Sequence, residues 1–65
     1  MTTQAPTKTY SVAVWHGEAD SIAYVMETAA GEDTAEIVAS YTRRRHGPRF
    51  RETAEGCAER LQDNR

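Results

Sequence analysis

Cys57, His46 and His16 are the side chains of this 65-residue chain with the chemistry for a nucleophile or a soft metal site. A Cys57–His46 pair would need a third group to orient the imidazole and a pocket to hold a substrate. The sequence offers no candidate for either. The three residues also lack the short, paired spacing of metal ligands, and no glycine-rich phosphate loop is present. The chain is therefore read as non-enzymatic, with no catalytic residue, metal or cofactor expected. Cys57 falls instead on an apolar helical stripe, where a small thiol fills core volume.

The charged residues are the more informative chemistry. A net charge of −2 hides a sharp segregation. Six acids and one lysine lie in residues 1–42, five arginines and no acid in residues 43–51, and four acids with two arginines in residues 52–65. At 100° per residue, Glu52, Glu55, Glu59 and Asp63 fall within about 80° of one another, spaced roughly 4.5–6 Å along a helix axis. Glu55–Glu59 and Glu59–Asp63 are like-charged i, i+4 pairs, each costing a helix about 0.2–0.5 kcal/mol. A helix shaped by stability alone would interleave lysines there, yet Lys8 is the chain's one lysine. The stripe is either a solvated face with no partner or an acidic face for a protein partner with a basic groove, to which Glu18, Asp20, Glu32 and Asp33 are candidate additions.

Arg43, Arg44, Arg45, Arg49 and Arg51 carry the alternative, a small DNA- or RNA-binding regulator. Guanidinium groups pair with phosphates in bidentate geometry, and His46 and Phe50 are at hand to stack on bases. A plainer role competes with it. Arg43, Arg44 and Arg45 would occupy the last turn of a helix, where cations favour the dipole, and Arg51 can pair with Glu55 one turn on. Helical phase turns Arg45 toward the buried side and Arg43 toward solvent.

The elements that must position these groups follow from periodicity. Tyr10, Val12 and Val14 alternate with Ser11, Ala13 and Trp15, the pattern of a strand. Gly17-Glu18-Ala19-Asp20 reads as a hairpin turn. Ile22, Tyr24 and Met26 then alternate with Ala23 and Val25 in a second strand, although Ile22, Val25, Met26 and Ala29 also fit helical spacing. Asp33-Thr34-Ala35-Glu36 matches a capping box and predicts a helix with Ile37, Val38 and Tyr41 on its apolar face, stopped by His46-Gly47-Pro48. A second helix is expected from Arg49 to Gln62, where Phe50, Ala54, Cys57, Ala58 and Leu61 form one stripe. The expected fold is α+β, a β-hairpin followed by two packed helices (ββαα), over residues 8–65 behind a loose tail at 1–7. With one sheet face covered, Trp15 either caps the edge of the core or is exposed, as an interface tryptophan would be.

Composition limits what such a fold can do. The chain is 38% hydrophobic and 28% charged, and a core this small cannot also enclose a drug-sized pocket of roughly 300–1,000 Å³. One cysteine allows no internal disulfide, which points to a reducing, cytoplasmic setting. No apolar run approaches the about 20 residues that cross a bilayer, and the N-terminal residues lack a signal-peptide pattern. No membrane partner is expected, and a monomer is favoured over a homodimer.

Two resemblances follow from these residues. The strands at Tyr10–Val14 and Ile22–Met26, with Asp33-Thr34-Ala35-Glu36 opening a helix, resemble the start of HicB-type antitoxins over about half the chain. The Pro-Gly loop and third strand expected between them are missing, and no function is carried over. At the level of class, a small single domain with clustered acids (Glu52, Glu55, Glu59, Asp63) and no catalytic constellation resembles phage and mobile-element inhibitors of the anti-CRISPR type. That resemblance implies a nucleic-acid mimic that occupies the basic groove of a defence complex. The adjoining arginine block departs from a purely acidic mimic.

Overall fold

A computed structural model describes residues 8–63. The tail expected over residues 1–7 lies outside the described residues. Three strands come first, β1 (Lys8–His16), β2 (Ser21–Ala29) and β3 (Glu36–Thr42). One helical segment follows: a single turn α1 (Arg43–His46), a 3-10 turn (Gly47–Arg49) and the long helix α2 (Phe50–Asp63). The strands form an antiparallel meander in the order β1-β2-β3. The fold is thus βββα, not ββαα, with one helical segment in place of two packed helices.

The helix expected from Asp33 is where the two differ. Asp33-Thr34-Ala35 belongs to a loop, and Glu36 opens a strand. Ile37, Val38, Tyr41 and Thr42 are all residues that favour a pleated, half-buried surface, and β2 offers them a free edge. Their apolar spacing fits a helix because β3 carries a bulge. Partners run Ala39↔Val25 and then Ile37↔Met26, so Val38 has no partner on β2. The extra residue puts Ile37 and Ala39 on opposite faces and hides the period of two.

The connections are short and locally specified. The Gly17 N–H donates to the Asp20 carbonyl at 2.8 Å in the first turn. In the second, the Glu32 N–H donates to the Ala29 carbonyl at 3.0 Å, with Gly31 at a φ of 82° that glycine adopts freely. One carboxylate oxygen of Asp20 accepts from the Ser21 N–H (2.8 Å) and from the Arg44 N–H (2.9 Å), tying the hairpin turn to α1. The Thr42 hydroxyl caps the same turn by accepting from the Arg45 N–H at 3.2 Å. Gly47, at φ 79°, ends α1.

α2 lies across one face of the sheet. Its expected stripe meets the strands: Phe50, Ala54 and Ala58 are buried with Ala23 and Val25, and Tyr10, Val12, Val14, Ala39, Tyr41, Cys57 and Leu61 pack around them. Among the described residues, none covers the opposite face. By alternation and register it presents three cross-strand rows: Trp15–Ile22–Thr42, Ala13–Tyr24–Ser40 and Ser11–Met26–Ile37, with Thr9 and Thr28 beyond. None of these residues is charged.

Candidate interaction surfaces

The acidic stripe keeps its geometry on α2. Glu52, Glu55, Glu59 and Asp63 are all exposed on α2. Glu52 lies 3.9 Å from Arg49 in a well-exposed pair of little energetic weight. Among the described residues the other three acids have no cationic partner, and the Arg51–Glu55 pair expected from spacing is not formed. Glu55 and Glu59 line a shallow groove of about 450 Å³ with Tyr10, Ser11, Val12, Ala58 and Gln62, between α2 and the outer edge of β1.

That edge has a guard. The Gln62 amide oxygen accepts from the Tyr10 N–H at 3.0 Å, and its NH₂ donates to the Lys8 carbonyl at 3.2 Å. A single side chain thereby satisfies an outward-facing backbone pair of β1, as a neighbouring strand would. Sequence spacing does not reveal this, because Gln62 and Tyr10 are brought together only by the packing of α2. Tyr10 also donates its hydroxyl to Glu27 at 2.8 Å, and Lys8 lies 3.5 Å from the same carboxylate. The bond to Glu27 raises the Tyr10 pKa above its ordinary value, with burial and the negative charge adding to it.

The other acids named from the sequence do not join the stripe. Glu18 and Asp20 sit beside Arg43 and Arg44 at the far end of the sheet, and Asp20 is engaged in capping α1. Glu32 shares a hollow with Lys8, Glu27 and Glu36 near the second turn, and Asp33 is exposed in that loop. Glu27 and Glu36, directly opposite each other across β2 and β3, add charge that sequence reasoning did not single out. The arginines are gathered at the α1–α2 junction, and all five are exposed. Arg45 is among them, not on a buried side: α1 is one turn long, so the phase of a longer helix does not apply.

The remaining chemical candidates each sit against a neighbouring side chain. Cys57 packs at the core margin against Tyr41, whose hydroxyl pKa is raised first by its bond to that thiol, then by burial. The Tyr41 ring meets His46 edge-on at 5.1 Å. His16 faces the Ser21 hydroxyl at 3.2 Å. Among the described residues no group of three His, Cys, Asp or Glu is placed to hold a metal ion, and no helix is long and apolar enough to cross a membrane.

The uncovered sheet face is the third surface. Trp15 is 54% exposed and Ile37 56%, and the unpartnered Val38 is 43% exposed. The sequence signalled Trp15 alone, since Ile37 and Val38 were assigned to a helix. The chain matches no family model, no curated protein and no solved structure.

Proposed function

We propose that this chain is a non-enzymatic protein-binding module that inhibits a larger complex by setting the acidic face of α2 into a basic, nucleic-acid-binding groove. The observation carrying this reading is the run of exposed acids at Glu52, Glu55, Glu59 and Asp63, of which only Glu52 lies near a cation among the described residues. Like charges one turn apart weaken the helix, and a partner's lysines and arginines would turn that cost into attraction and faster association. The mode is that of anti-CRISPR-type inhibitors, which makes a nucleic-acid-guided or nucleic-acid-cleaving defence complex the class of partner. The single, partly buried Cys57 fits a cytoplasmic setting.

A second reading has its own support. Five exposed arginines at one junction, of which only Arg49 forms an ion pair among the described residues, suit a phosphate backbone. Fluorescence anisotropy of labelled duplex DNA and single-stranded RNA separates the two. The inhibitor reading expects no binding even at low salt, and displacement of labelled DNA from purified defence complexes of the target class. Glu55→Lys with Glu59→Lys should abolish that displacement while leaving the circular dichroism spectrum unchanged. Micromolar, salt-sensitive binding that Arg44→Ala weakens would overturn it in favour of the arginine junction.

A further inference from the structure

The geometry points to the uncovered sheet face as a two-fold interface with a second copy of this chain. Trp15, Ile22, Tyr24, Met26 and Ile37 place large apolar side chains there, and no position of the face is charged. A solvated sheet face ordinarily alternates toward polar and charged residues, and this chain has charges to spend, at 28% of its residues. They all lie elsewhere.

The outer columns of this face are complementary in volume to their own two-fold image. A two-fold axis along the middle row, perpendicular to the strands, lays Trp15–Ile22–Thr42 over Ser11–Met26–Ile37 of the second copy. Trp15 then faces the partner's Ser11, Ile22 the partner's Met26, and Thr42 the partner's Ile37. Tyr24, between the small residues Ala13 and Ser40, sits on the axis against its own image. Large meets small in each outer column, as an isologous contact requires. Charge argues for the same occupant. The α2 face and the arginine junction are each of one sign and would repel their copies, whereas the sheet face meets itself without conflict.

The competing self-contacts are strand edges. Gln62 already occupies part of the β1 edge, Glu55 and Glu59 stand beside it, and the Val38 bulge interrupts β3. Three strands of this length offer a face of roughly 30 by 14 Å. Pairing two such faces buries about 1,000 Å² in all, near the lower bound for a specific interface, so the dimer is expected to be weak and concentration-dependent.

Sedimentation equilibrium of the whole chain from about 1 to 500 µM tests this, with Trp15 emission followed over the same range. The expected result is a monomer–dimer equilibrium whose dimer has blue-shifted emission. Ile37→Lys should weaken it at least about 100-fold, because two unpaired charges enter one interface. Should that variant lose its circular dichroism spectrum, Trp15→Glu serves the same purpose at another exposed position. The Glu55→Lys, Glu59→Lys chain should pair as the parent does, so failure of the inhibitor reading and failure of this one are distinguishable. A monomer throughout, a larger assembly, or a dimer that survives the sheet-face charges would overturn the proposal.

Discussion

The two faces of the sheet use apolar residues in opposite ways. Under α2 the fully enclosed layer is made of Ala23, Val25, Phe50, Ala54 and Ala58, with Val25 the one large side chain sealed from solvent. On the other side stand Trp15, Ile22, Tyr24, Met26 and Ile37, larger residues left partly or mostly in water. A one-helix, one-sheet domain commonly shows the reverse, with bulk beneath the helix and polarity outside. Alanines fill the centre of the covered side, and Tyr10, Val12, Val14, Tyr41 and Leu61 close around it only in part. The same strands thus present one enclosed face and one face whose larger apolar residues stay in water.

The hardest test of that division is a pair of truncations. Phe50→Ala should cost about 3–5 kcal/mol in urea unfolding, enough to unfold much of a small domain near the low end of ordinary stability. Ile37→Ala should cost less than about 1 kcal/mol in dilute solution, because its side chain is already more than half exposed. Equal losses from the two would erase the contrast. A smaller effect sits at the margin of the covered face. Tyr10 has a raised pKa through Glu27, so the folded state holds its proton more tightly than the unfolded chain. The resulting stability is complete below the ordinary tyrosine value of about 10 and is lost as pH climbs through the raised value. Urea midpoints between about pH 9 and 11.5 should therefore fall less steeply in Tyr10→Phe than in the parent. The smallest effect belongs to the open face. A methyl group at Gly17 would run into the Trp15 indole, so Gly17→Ala should swing the ring outward at a cost within about 0.5 kcal/mol. Its readout is a red shift in the emission of the chain's one tryptophan; unchanged emission would mean the ring does not rest on the turn.

Legibility in the sequence followed the regularity of each element. β1, the first turn and α2 were readable because their periods are unbroken; β2 was legible as a strand, although its apolar residues, spread over both faces, also fitted a helix. The acidic stripe was readable for the same reason, since helical phase alone fixes it. β3 was not. Asp33-Thr34-Ala35-Glu36 is a genuine capping pattern by residue type, and Ile37, Val38 and Tyr41 fall at helical offsets. What decides for a strand is the free edge of β2 together with a bulge at Val38, and neither is written in local periodicity. Asp20 and Gln62 eluded the sequence for a related reason. Their partners, Arg44 and Tyr10, lie 24 and 52 residues away, and hydrogen bonds of that span exist only after the chain has packed.

The Gln62 clasp also sets a clock on synthesis. β1 is among the first described segments to be made, and the amide that guards its edge arrives 52 residues after Tyr10. Until then the outward N–H and C=O groups of the strand are open to pairing with a neighbouring nascent chain. The vulnerable interval is fixed by translation rate rather than by the stability of the finished fold. Slower synthesis lengthens it, and crowding of chains on one message sharpens it. The outer edge of β1 is thus covered by a side chain that is made 52 residues after the backbone group it satisfies.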